Sequence, residues 1–500
     1  MELLLANLAH GFSIALTVDN LLFALLGALI GTAIGVLPGI GPVTTISLLL
    51  PITFGQPPTT AIIMLAGIYY GAQYGGSTTA ILLNLPGEVS SVVTTLEGYK
   101  MARNGRAGAA LATAALGSFF AGTVATLVVA ASGPLLTSVA LSFGPADYFS
   151  LMLLGLIISA VLAQGSVLKS VAMVVLGVFL GLVGTDVQTG QQRFTFGIPE
   201  LSDGIGFVPV AMGLFGIAEI ILNLQKPEQR SVLAINVGSL WLSREEFRRA
   251  IPSVLRGTMV GSLLGILPGG GAALASFASY MMERKVSRGR AQFGSGAIEG
   301  VAGPEAANNA AAQTSFIPLL TLGIPANAVM ALMVGALIIQ GIQPGPRMVE
   351  AQPDLFWGLI ASMWIGNAML LVINLPLIGI WVKLLQVPYR YLYPAILIFC
   401  GIGVYSLNNN VFDVYLTVLF AVVGVIFSKL KMEPAPLLIG FVLGPMMEEH
   451  LRRAMLLSRG DPMVFVQQPI SATMLAIAAA ALLAMALPTL RKKKDQAMVG

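Results

Sequence analysis

Long apolar stretches separated by short polar loops run through almost the whole chain. Runs such as 110–131, 150–163 with 166–184, 355–382 and 471–489 supply the lengths that helices need to cross a hydrocarbon layer of about 30 Å. Every backbone N–H and C=O inside a bilayer needs an internal partner, so runs of this kind predict helices. The pattern predicts an all-α integral membrane protein with about 12 transmembrane segments. Segment 327–342 is apolar but short for a full crossing, which leaves the number of crossings open.

Two apolar segments are interrupted at the same place. "GALIGTAIGVLPGIGP" at 27–42 returns as "GTMVGSLLGILPGGGA" at 257–272, with Gly27, Gly31, Gly35 and Pro38 matched by Gly257, Gly261, Gly265 and Pro268. The glycine spacing by itself reads as a small-residue ridge for helix packing. The Pro-Gly clusters ask for more: Pro removes a helix donor and Gly permits tight turns, so each cluster predicts a broken or re-entrant hairpin. In membranes, such breaks persist where protein encloses them or where they line a watery cavity. Paired breaks in two halves point to a transport site. Pro38, Gly39, Gly41, Pro42, Pro268, Gly269, Gly270 and Gly271 are therefore candidate substrate-binding positions.

Charge placement then suggests how the halves lie. With 56% hydrophobic and 10% charged residues, the chain is far from the roughly 25% charged composition of soluble domains. Its net charge of +4 is no nucleic-acid footprint. Lys226, Arg230, Arg244, Arg248 and Arg249 fill the joining segment, and "ERKVSRGR" follows the second break, so both flanks of the second hairpin read as cytoplasmic. Residues 1–42 hold no Lys or Arg and read as entering from outside, with no cleavable signal peptide expected. Lys100, Arg103 and Arg106 put the end of the next segment in the cytoplasm, as "RKKK" at 491–494 does for the C-terminus. The expected organisation is an N-terminal membrane repeat at 1–225, a cytoplasmic linker at 226–250, an inverted C-terminal repeat at 251–470, and a last helix with a basic tail at 471–500.

Each half carries a second interruption, "GAQYGGSTTAILLNLPGE" at 71–88 and "EGVAGPEAANNAAAQTSFIPLLTLGIPAN" at 299–327, and Leu83–Pro86 corresponds to Leu322–Pro325. Ser77, Thr78, Thr79 and Asn84 are candidates for substrate binding there, and Thr314 and Thr321 for ion coupling, although Ser and Thr in membrane helices often bond only to their own backbone. Glu305, Asn308 and Asn309 share one helix face. Asn308 and Asn309 are read as site residues. Glu299 and Glu305 are candidates for cation or proton coupling, because ionisable groups within spans are costly and usually functional. For Glu305 a second reading stands beside it, an exposed first-turn acid following Pro304. A Na⁺ ion could be held by freed carbonyls at Gly39 and Gly269 with Ser77 and Asn309.

Other chemistries lack their residues. There is no nucleotide-binding G-x-x-x-x-G-K-[ST] loop, and His10 and His450 have no metal-ligand companions. Cys400, the single cysteine, lies in an apolar run and reads as a core residue. No catalytic arrangement and no cofactor are expected beyond Na⁺ or H⁺ as coupling ion. A channel, or a membrane sensor that moves nothing, remains as the alternative to a secondary transporter.

The motifs "GVLPGIGP", "YGGSTTAILLNLPGE", "EGYKMARNGRAG", "FGPADYFSLM" and "GLFGIAEI", then "GILPGGGA", "FGSGAIEGVAGPEAANNAAA", "IPLLTLGIPAN", "GIQPGPR" and "GFVLGPMMEEHLRRAMLLSRGD", resemble the TctA family over nearly the full chain. These are the large membrane subunits of tripartite tricarboxylate transporters. The resemblance implies a multi-pass permease of the bacterial inner membrane, working with a periplasmic solute-binding protein and a small membrane subunit. It also implies import of carboxylates, citrate among them, by symport with Na⁺ or H⁺.

Overall fold

The computed structural model describes residues 2–37, 41–163, 166–186, 188–225, 239–267, 271–287, 292–384 and 392–486. Pro38, Gly39, Pro268, Gly269 and Gly270, most of the joining segment and the basic tail lie outside these residues. The protein is 80% helical. Among the described residues the only sheet is the two-stranded antiparallel pair Gly184–Thr185 and Gln192–Arg193.

Among the described residues, six helices are long and apolar enough to cross a membrane, and four shorter apolar ones accompany them. Ala328–Ile339 is one of the short set; its 12 residues rise about 18 Å, well under a hydrocarbon core.

The first hairpin consists of Val18–Val36 and Pro42–Thr53. Gly41 supplies an extended N-cap, and Pro42 occupies the first helical turn, where its missing N–H costs nothing. The second hairpin consists of Arg244–Gly265 and Gly271–Val286. Residues 244–250, read from sequence as linker, are the first turns of this hairpin. Ser243 and Glu246 form a capping box that starts the helix there.

Each hairpin lies on the helix that follows it in the chain. A Cβ added to Gly27, Gly31 or Gly35 would fall 2.2, 2.3 or 2.4 Å from the carbonyl oxygens of Met64, Ile68 and Ala72 on Pro58–Leu83. Added to Gly257, Gly261 or Gly265, it would fall 2.2, 2.2 or 2.5 Å from those of Gly303, Ala307 and Ala311 on Glu299–Thr314. The two ridges thus meet their partner helices in matching register. Without side chains between them the backbones approach closely, and dispersion contacts hold membrane helices together.

The register continues to the second interruptions. Pro58–Leu83 ends in left-handed Asn84 (φ 58°), and Phe316–Leu322, which follows Glu299–Thr314 after Ser315, ends in left-handed Gly323 (φ 74°). Beyond the break, Val89–Ser91 packs on the second hairpin, whereas Ala328–Ile339 packs on the first. Ala107–Ala140 then runs past Glu299–Thr314. Outside this centre, Pro145–Leu162, Val167–Gly181, Ala435–Leu457 and Pro469–Ala486 form a second group, joined where Gly177 lies against the Leu437 carbonyl.

Candidate functional site

Pro58–Leu83 and Glu299–Thr314 bring a polar cluster to the buried centre. Glu305 has no exposed surface. Its carboxylate accepts hydrogen bonds from Ser77 Oγ (2.6 Å), from Thr94 Oγ1, and from Asn308 Nδ2 at 3.5 Å. Asn309 Nδ2 donates to Ser118 Oγ (2.7 Å), to the Glu305 carbonyl (3.2 Å) and to Asn308 Oδ1 (3.3 Å). The surface-acid reading of Glu305 is therefore wrong: Pro304 lies inside a buried helix and does not begin an exposed one.

A second buried carboxylate, Glu88, lies at the first break. It accepts from Ser90 Oγ, which also donates to Gln73 Oε1 at 2.7 Å. The room comes from glycines: a Cβ on Gly76 would approach Glu88 Cγ to 2.9 Å, and one on Gly87 would meet the Gly35 carbonyl at 2.0 Å. Asn327 occupies the corresponding place in the second half, where its Oδ1 caps the Met330 N–H (3.0 Å) and its side chain lies beside Gly271.

Neither Glu88 nor Glu305 has an ion-pair partner among the described residues. The carboxylates nearer the basic loops are different. Glu299 is held at both oxygens by Arg249 (2.8 and 2.7 Å), and Glu283 by Arg256 (2.8 and 2.6 Å). Glu97 accepts the backbone N–H groups of Gly296 (2.8 Å) and Ala297 (3.0 Å) and the Tyr280 hydroxyl (3.0 Å). Lys100 reaches the Gly294 carbonyl at 2.6 Å, and Arg106 pairs with Glu246. Basic positions of both halves thus gather at one end of the molecule.

The sequence-derived candidates divide accordingly. Ser77, Glu305, Asn308 and Asn309 come together, with Thr78 on the wall beside them. Thr79 donates to the Val36 carbonyl (2.7 Å) and ties down the end of the first hairpin helix. Thr314 and Thr321 bond back to Ala310 (3.1 Å) and Ile317 (2.7 Å) of their own helices. Asn84, left-handed at the C-terminus of Pro58–Leu83, is exposed rather than buried with the cluster. A Cβ at Gly41 would meet no described residue within 4 Å, while Gly271 adopts φ +55° next to Asn327.

Sequence reasoning passed over Thr94, Ser118, Gln73, Glu88, Tyr74, Asn367 and Asn374. Glu88, Asn367 and Asn374 carried a usable signal, as polar residues in otherwise apolar segments. Tyr74 donates to Asn367 Oδ1 at 2.6 Å.

Residues 21–439 match the tripartite tricarboxylate transporter TctA family. The chain belongs to that family. An Agrobacterium vitis protein described as an uncharacterized 52.8 kDa protein in the TAR-I ttuC' 3' region is 61% identical over 496 residues, 99% of each chain. A second protein of that organism, an uncharacterized protein in the TAR-II ttuC' 3' region, is 63% identical over 239 residues, 48% of this chain and 99% of its own. No solved structure matches. As a TctA-family chain with several membrane-length helices, it is a membrane-embedded transporter subunit.

Proposed function

We propose that this TctA-family chain is the permease of an importer that takes carboxylates, tricarboxylates such as citrate first among them, across the bacterial inner membrane by ion-gradient symport. A periplasmic solute-binding protein delivers the substrate and a small membrane subunit completes the complex. The halves have opposite orientation, the first hairpin entering from the periplasm and the second from the cytoplasm, with the C-terminus cytoplasmic.

The observation that carries this reading is Glu305. On Glu299–Thr314, a carboxylate with no exposed surface and no ion-pair partner among the described residues faces Pro58–Leu83, surrounded by Ser, Thr and Asn. Burying such a charge is expensive, and a bound cation or proton offsets the cost. Backbone donors at the hairpin ends around Gly41 and Gly271 face the substrate carboxylates, as half-helix N-termini do in transporters. Cation occupancy beside Glu305 favours the anionic substrate electrostatically and so couples the two.

The test is accumulation of labelled citrate and a panel of other carboxylates in vesicles containing this chain and its small subunit. Binding protein is added outside, and Na⁺, H⁺ and no gradient are compared. Uptake above equilibrium that needs both the gradient and the binding protein is expected. Simple equilibration of every acid would replace the transporter with a channel.

A further inference from the structure

A cavity of about 10 Å³ lies beside the Ser77–Glu305 contact, lined by Tyr74, Ser77, Thr78, Ser118 and Asn374 with apolar walls from Ala107–Ala140. It has room for roughly one water molecule or one dehydrated small ion. Three of its lining hydroxyls direct their hydrogens elsewhere. Ser77 donates to Glu305 at 2.6 Å, and Tyr74 donates to Asn367. Ser118 Oγ is 3.4 Å from the Glu305 carbonyl, to which it donates.

Asn374 decides the character of the cavity. The residue is 4% exposed. Its Nδ2 donates to the Leu370 carbonyl (2.9 Å), a group that can only accept, so the amide orientation is determined. Asn374 Oδ1, on the other side, is buried with no hydrogen-bond partner among the described residues. A buried acceptor of this kind needs a donor or a cation.

We propose that Tyr74, Ser77, Thr78, Ser118 and Asn374 form a binding site for one small alkali cation, Na⁺, with Glu305 balancing its charge through Ser77. Neutral hard oxygens suit such an ion, whereas transition metals prefer imidazole or thiolate. Among the described residues, no group of three His, Cys, Asp or Glu side chains could hold a metal. The site draws on Pro58–Leu83, Ala107–Ala140 and Pro353–Asn374, so an ion there ties three helices together. The inference rests on the transport reading above and locates its coupling ion.

The test measures binding of radioactive Na⁺ to the purified full-length chain in lipid nanodiscs. Saturable binding is expected, and it should weaken on the order of 10- to 100-fold in Asn374→Leu, the range for lost metal-site groups. Asn374→Asp, which keeps shape and oxygen, should retain it. If Asn374→Leu does not yield monodisperse protein, Thr78→Val carries the same expectation of weakened binding. Absence of saturable binding to the wild-type chain, or unchanged binding in Asn374→Leu and Thr78→Val, overturns the proposal and makes the cavity a water site. Citrate uptake measured in parallel separates the two readings. Concentrative uptake without Na⁺ binding removes this site and leaves the transporter; Na⁺ binding lost in Asn374→Leu, without concentrative uptake, leaves the site and removes the transporter.

Discussion

Ser77 and Glu305 lie 228 positions apart in the chain, yet Ser77 Oγ is 2.6 Å from Glu305 Oε2 in the buried centre. The contact joins the helix under the first hairpin to the helix under the second. A change at either residue should therefore be felt by both halves.

The first prediction concerns the charge itself. Glu305→Gln keeps the side chain's shape and removes its negative charge. We expect concentrative uptake to fall at least about tenfold and its dependence on the ion gradient to be lost, while folding survives, because replacing an unpaired buried charge does not orphan a cationic partner. Gradient-dependent uptake in vesicles is the readout, and a wild-type profile would remove Glu305 from coupling.

Glu283 and Glu299 should behave in the opposite way. Glu283→Gln leaves Arg256 without its partner, and Arg256 is 29% exposed. A loss of about 3 kcal/mol is expected, at the low end for a broken buried pair. Glu299→Gln should destabilise similarly and leave the ion dependence of residual uptake unaltered. Denaturant unfolding and uptake, measured on the same preparations, separate the stability effect from coupling.

Glycines on the ridges and at the tips should differ. A Cβ at Gly261 would lie 2.2 Å from the Ala307 oxygen and 2.7 Å from Ala307 Cα. Both are backbone atoms, so the helices must move apart. Gly261→Ala is expected to cost about 1–3 kcal/mol, seen as a lower melting temperature. A Cβ at Gly41 would meet no described residue within 4 Å, so Gly41→Leu should leave expression and melting unchanged. It should nevertheless abolish uptake, and full uptake would dismiss the first hairpin end as a substrate contact.

The last prediction concerns pH at the polar corner outside the spans. The Asp186 carboxyl is lowered from 3.8 to about 2, chiefly by the Gln188 N–H it accepts, with Arg452 adding its hydrogen bonds and charge. A lowered folded pKa stabilises the folded state above the unfolded value, and that contribution is lost as pH falls through the folded one. Hydrogen exchange of the 184–204 segment should thus be flat in pH-corrected protection above about pH 5 and lose protection between about pH 4 and 2. In Arg452→Ala the folded value lies closer to the unfolded one, so the loss should be smaller and complete at a higher pH.

Much of the architecture was legible in the amino-acid order. Helical content followed from apolar length, because a bilayer leaves the backbone few alternatives. The ridges at Gly27–Gly35 and Gly257–Gly265, the breaks after Leu83 and Leu322, and the shortness of 327–342 were readable because each is local: a residue type constrains its own backbone. Tertiary structure decided which acid is paired. Glu299 and Glu305 share one helix and look alike in sequence, but one faces Arg249 and the other faces Ser77 and Thr94. It also decided that Asn374, whose Oδ1 has no partner among the described residues, lines one cavity with Ser77 and Ser118. Those outcomes depend on which helix faces meet, and contacts between residues hundreds of positions apart are made only when the helices pack.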